Sequence, residues 1–203
     1  MTTRDRTIGL NIAGKSGCII VPYMTMPEAS SLFWSYIDAS MSLLEDDLKI
    51  LLKALDFLPL AISQAATFIN QNGCTLKEYL EMLQGDELEV HDLLSTDLGD
   101  VRRPEDSESS VLRTWKLSFD LISTRAPRAA ELLSLMAMLD RQGISKDLLR
   151  DEEIRNIDLI TALGTLQAFS LISVDKQGSS YEMHRLVQLA TQRWLQLQEM
   201  TKR

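Results

Sequence analysis

Cysteine is almost absent: Cys18 and Cys74 are the whole complement of a 203-residue chain. They lie far apart with no CxxC spacing, which reads as two free thiols in a reducing compartment rather than a disulfide or a zinc site. Histidine is as sparse, with only His91 and His184. Two isolated histidines cannot build a metal or catalytic cluster, and no Ser-His-Asp or Cys-His signature is present, so no catalytic residue and no metal is assigned. No apolar run reaches the length of a membrane span, and the opening Met-Thr-Thr-Arg-Asp-Arg lacks the apolar stretch of a signal peptide. A soluble, cytoplasmic protein is expected. Positive charge is in deficit too: 21 Lys and Arg against 29 Asp and Glu leave a net −8, which predicts repulsion from nucleic acid and anionic membranes. Aromatics make up only 6%, but 45% hydrophobic and 25% charged residues with 9 Gly and 5 Pro exclude a disordered, collagen-like or low-complexity chain. The length suits one large domain or two small ones and is short for a nucleotide-hydrolysing machine with a complete sheet.

What is present falls into three stretches. Residues 1–27 carry Cys18-Ile19-Ile20-Val21, a β-branched run closed by Pro22, and glycines at 9, 14 and 17, the pattern of the edge of a sheet. From Pro27 the pattern turns helical, with Ala29, Leu32, Phe33 and Ile37 recurring at helical spacing. A second run follows through Leu44, Leu48, Leu51, Leu52 and Leu55. Phe57-Leu58-Pro59-Leu60 interrupts it, and the next helix ends at Gly73, a natural C-terminal signal. Thr75 with Glu78 forms a capping box for a short helix to Leu83. Residues 84–110 are acidic and turn-rich, and a domain boundary is placed at 100/101. Beyond it, Val111–Ile122, Pro127–Leu139, Ser145–Leu149 and Ile157–Phe169 read as helices, the last with Leu159, Ile160, Leu163 and Leu166 on one face. Leu171–Val174, the turn Asp175–Gly178 and Ser179–Met183 read as a β-hairpin. A final helix carries Leu186, Val187, Ala190, Trp194 and Leu197 as one stripe. Trp34, Trp115 and Trp194 read as core or interface anchors, and Met136 and Met138 as core filling or adaptable packing at a domain interface.

The fold expected is mainly α: a helical domain over 28–100 and a winged-helix domain over 101–203 with a short hairpin. A small β remnant of a P-loop-type α/β sheet over 1–27 precedes them. Gly9-Leu-Asn-Ile-Ala-Gly14-Lys15-Ser16 matches the phosphate-loop pattern GxxxxGK[ST], but that chemistry needs a strand before the loop and a helix after the lysine. Here Ser16 is followed by Gly17 and the strand-like run ending at Pro22. No apolar strand ending in paired acids, as magnesium would require, follows. The segment therefore reads as a loop between two strands, with Lys15 solvated.

Five fragments, in order, carry a resemblance: Thr2-Thr3-Arg4, the strand Ile19-Ile20-Val21, Met26-Pro-Glu-Ala29 opening a helix, Leu58-Pro59-Leu60-Ala61, and Glu182-Met183-His184-Arg185-Leu186-Val187. Together they resemble the C-terminal part of an NB-ARC ATPase, the STAND-type signalling NTPases of plant disease resistance, apoptosis control and fungal incompatibility. The fungal, NLR-like kind, in which Met-His-Arg-Leu-Val-Gln is followed by tetratricopeptide repeats, is the nearest match. The resemblance implies that Arg4 senses the terminal phosphate, a role suited to a guanidinium fork. It implies that Pro59 presses a rigid apolar ring against adenine, with Leu58 beside it in the nucleotide site, and that His184 reaches the β-phosphate of ADP and holds the closed, inactive state. Arg185 stands where plant relatives carry aspartate, and reads as either a second phosphate contact or a salt-bridge partner. ADP or ATP is then the ligand of the complete protein, with weak or no binding by this chain alone. The partners implied are an upstream nucleotide-binding domain or homologous chains, with neither nucleic acid nor membrane. No independent catalysis is expected.

Two other functions compete. A winged helix suits a DNA-binding transcription regulator, but Ile157–Phe169 offers only Gln167 toward base edges and no positive charge. A stand-alone P-loop NTPase using Gly9–Ser16 would depend on Lys15 and Ser16.

Overall fold

The structure, a computed structural model, describes residues 11–14, 17, 24–37, 45–85, 105–150, 155–175 and 178–201. Among them α1 (Met26–Trp34), α2 (Glu45–Ala54), α3 (Pro59–Asn72) and α4 (Leu76–Gly85) form the first group of helices. Then come α5 (Glu105–Arg125), α6 (Pro127–Ala137), β1 (Ile144–Ser145), a 3₁₀ turn (Lys146–Leu149) and α7 (Asn156–Ala168). β2 (Ile172–Val174), β3 (Ser180–Met183) and α8 (Arg185–Thr201) complete the order. Among the described residues the protein is mainly helical with one small antiparallel sheet, in strand order β1-β3-β2.

Local chemistry explains the ends of these helices. α1, α3 and α6 each open on a proline in the first turn, where its missing N–H would have had no helical partner. α3 stops at Gly73, whose φ of 63° is the left-handed conformation that lets its N–H reach back to the Ile69 carbonyl. The capping box at α4 forms as the spacing predicts: the Thr75 N–H donates to Glu78 Oε2 at 2.7 Å and the Glu78 N–H donates to Thr75 Oγ1 at 3.2 Å. Thr25 and Glu28 repeat the exchange at α1, with the Thr25 N–H donating to Glu28 Oε2 at 2.7 Å.

α3 and α5 are the centre of the molecule. Every residue of α3 from Ala61 to Ile69 is buried, which marks a helix covered all round rather than one lying on a surface. Along α5, Val111, Trp115, Phe119 and Ile122 are buried at helical spacing. Three polar contacts join the α3 side to α5: Ser110 Oγ donates to Asp56 Oδ2, Thr114 Oγ1 to Gln64 Oε1, and Arg125 Nη1 to Asn72 Oδ1, at 2.6, 2.7 and 2.8 Å. The partners rise together along both segments, so α3 and α5 run parallel. Trp115 stacks on Phe119 with ring centroids 4.9 Å apart, and Phe119 meets Trp194 edge-on at 4.6 Å, which carries the core into α8.

The sheet sits beside α7. β2 and β3 form the expected hairpin, paired Ile172 to Met183 and Val174 to Tyr181. The turn is tied by Asp175 Oδ1, which accepts from the Ser179 N–H at 2.7 Å. These bonds to Ser180 and Ser179 hold the Asp175 carboxyl below its ordinary pKa.

Several expectations are corrected. Glu105–Ser110 reads as linker but belongs to α5; acids in a first turn favour the positive end of the helix dipole, and Ser110 is buried. β1 escaped the sequence reading because two residues show no periodicity. Ile160 is 46% exposed, and Ala162 takes its place on the buried face of α7. Met138 and Trp34 are exposed rather than core. In the glycine-rich N-terminal stretch, residues 11–14 are helical rather than looped.

Candidate functional site

The candidate residues within the described part fall on two elbows, where an element ends and a helix begins. Arg4, Lys15, Ser16, the Cys18–Val21 run and His91 lie outside the described residues.

The first elbow joins α2 to α3. Just past α2 come two consecutive left-handed residues, Asp56 at φ 50° and Phe57 at φ 53°. Such conformations cost about 1–3 kcal/mol each in residues other than glycine. They are closed by the Phe57 N–H donating to the Leu52 carbonyl at 3.2 Å and the Leu58 N–H donating to Leu55 at 3.0 Å. Leu58 then turns extended as the N-cap of α3, with no side-chain cap of its own. Its carbonyl accepts from the Ile62 N–H at 2.9 Å. Leu58 is half-buried against the core, whereas Pro59 is exposed at the head of the helix. An apolar ring on a rigid turn is thereby offered to the surface.

The second elbow joins β3 to α8. Met183 is buried, and its N–H donates to the Arg141 carbonyl at 2.8 Å. His184 is next, exposed, with Nδ1 accepting from the Leu186 N–H at 3.2 Å. The histidine therefore caps its own helix. The ring stands at a helix N-terminus, where Arg185 adds positive charge and no acid occupies the first turn. That end of α8 suits an anion.

α8 is held from the other side. Gln188 Nε2 donates to the Ala137 and Leu139 carbonyls at 3.1 and 2.9 Å, and Gln192 Nε2 to Ala137 at 2.7 Å. These amides satisfy carbonyls at the C-terminus of α6 that have no helical partner. Sequence reasoning missed both glutamines, and only the stripe of α8 could have hinted at which face they take. Both α3 and α8 pack on α5.

Two cavities lie apart from the elbows. A groove of about 570 Å³ runs between α6, the 3₁₀ turn and α7, lined by Leu132, Leu135, Leu148 and Leu159. Its rim charges are internally paired, as in Arg128 with Glu131 and Arg155 with Asp158. A second cavity includes Cys74, a free thiol whose pKa burial pushes up. Among the described residues no helix is long and apolar enough to cross a membrane.

Residues 121–200 match the family described as Domain of unknown function (DUF7779). The chain is also 36% identical over 197 residues, 96% of its length, to a "Nucleotide-binding leucine-rich repeat (NLR)-like protein" of Hyaloscypha variabilis (strain UAMH 11265 / GT02V1 / F). It spans 20% of that relative's length. No solved structure matches the chain.

Proposed function

We propose that the chain is the regulatory, nucleotide-state-sensing part of a STAND-type NB-ARC signalling NTPase, in which ADP bound against the Leu58-Pro59 and His184 elbows favours a closed state. The likeness to an NLR-like protein supports a signalling reading. So does the order helix, short strand, 3₁₀ turn, helix and hairpin with strands β1-β3-β2, which is the topology expected of a winged helix. The observation that carries the proposal is the exposed His184 at the N-terminus of α8, where its Nδ1 caps the helix and no acid occupies the first turn. ADP is then the ligand that biases a two-state switch, and exchange for ATP releases it in the complete protein, in fungal defence or incompatibility signalling. The chain alone binds feebly and does not hydrolyse ATP.

NMR titration of the chain with millimolar ADP tests this. The His184 ring signals and the Leu60 and Ala61 amides are expected to shift together, and His184→Ala is expected to abolish both shifts. A shift at neither elbow, or sub-millimolar affinity that survives His184→Ala, would overturn it. The DNA-binding reading has less support: α7 exposes Ile157 and Ile160, at 59% and 46%, where a recognition helix needs polar donors.

A further inference from the structure

A buried serine on α5 touches the strained elbow from a distance of 54 residues in sequence. Ser110 is 2% exposed, and its hydroxyl lies 2.6 Å from Asp56 Oδ2 and 3.2 Å from the Ala54 carbonyl. One hydroxyl proton cannot serve both acceptors fully. The shorter contact, to a carboxylate, is the stronger. Asp56 is the first of the two left-handed residues that swing the chain from α2 into Leu58 and Pro59. Neither residue of that pair is glycine, so the turn is strained, and a side-chain contact adds to the backbone bonds at Leu52 and Leu55 that close it. Leu58 supplies no such contact, having no side-chain cap.

We propose that Ser110 is a positioning residue whose contact with Asp56 latches the Asp56-Phe57 turn and thereby fixes where Pro59 projects. Because Trp115 and Phe119 continue α5 to Trp194 on α8, the latch ties the first elbow to the helix that carries His184. Release of Ser110 lets the turn relax out of its left-handed conformation and Pro59 swing away while the core of α3 stays packed. The consequence for nucleotide rests on the function proposed above; the hold on the turn does not.

Amide hydrogen exchange of the whole chain without nucleotide tests the latch. Ser110→Ala is expected to speed exchange at Phe57 and Leu58 by about tenfold or more, as for loss of a charge-assisted bond, and to leave α7 and β3 unchanged. Asp56→Asn, which keeps an acceptor and a residue tolerant of positive φ, is expected to give a smaller effect. Ser123→Ala removes another hydroxyl of α5, bonded to the Phe119 carbonyl, and is expected to leave Phe57 and Leu58 as they were. Unchanged exchange at Phe57 and Leu58 in Ser110→Ala, or equal acceleration throughout the chain, would overturn the latch. In the ADP titration, Ser110→Ala is expected to lose the Leu60 and Ala61 shifts and keep that of the His184 ring. Absence of any ADP shift in the unaltered chain would sink the nucleotide reading and leave the latch to stand or fall on exchange alone.

Discussion

The two elbows solve the same problem with opposite means. At the second, the sequence itself supplies the cap: His184 bonds the Leu186 N–H two residues on. At the first, local backbone bonds close the turn but Leu58 adds no side-chain cap, and two left-handed non-glycine residues also lean on a serine from another helix. The locally capped elbow should respond to changes within a turn of it, whereas the strained one should respond to changes far away in sequence. An exposed, self-capped histidine can also change its contacts without disturbing the core, whereas the proline elbow is tied to a buried serine.

The comparison can be broken most severely at the element the two share. Trp115 is fully buried and stacks on Phe119, so Trp115→Ala should cost about 3–5 kcal/mol in denaturant unfolding and loosen both elbows alike. An effect confined to one of them would show that α5 does not join them. Next in size, Gln188→Ala with Gln192→Ala strips the donors from the α6 carbonyls. About 2 kcal/mol should be lost in the same unfolding assay, with faster exchange around His184 and little change at Phe57.

His184→Ala should cost about 1 kcal/mol by thermal unfolding, the usual worth of a helix N-cap. His184→Asn sharpens the point, because it restores the cap and most of the stability without restoring the His184-dependent response to ADP at Leu60 and Ala61. The smallest effect concerns pH. Bonds from Thr75 hold the Glu78 carboxyl below its ordinary pKa of 4.5. A depressed carboxylate stabilises fully above its unfolded pKa and loses that contribution as pH falls through the lower folded value. Amides at the start of α4 should therefore fray below about pH 4.5, and Glu78→Gln should flatten that dependence in an exchange experiment across pH 3–6.

Much of this was legible because it depends on neighbours in sequence. Pro59 and Gly73 bracket α3, Thr75 and Glu78 write out a capping box, and the run Asp175 to Gly178 between the strand-like stretches Leu171–Val174 and Ser179–Met183 marks the hairpin. The features that escaped depend on what lies across the core. Nothing in Glu-Asp-Ser-Glu-Ser-Ser tells that its last serine is buried against Asp56. The pattern of α7 does not tell that Ala162, rather than Ile160, is covered. The left-handed pair at Asp56 and Phe57 contradicts local preference and is intelligible only with its tertiary contact in view. The candidate site divides the same way: Pro59 and His184 are visible in short motifs, whereas Ser110, Gln188 and Gln192, which hold them, are not.

The parallel course of α3 and α5 also bears on how fast the native state is reached. Antiparallel neighbours in a helical bundle are joined by a short hairpin and can zip from the loop outward. Here the pairs Ser110 with Asp56, Thr114 with Gln64 and Arg125 with Asn72 each close a circuit of 50 to 54 residues. The entropy of that closure must be spent before the central contact returns anything, so the chain should fold more slowly than its helix content suggests. Docking of α5 on α3, rather than formation of either helix, would then be the step that limits it.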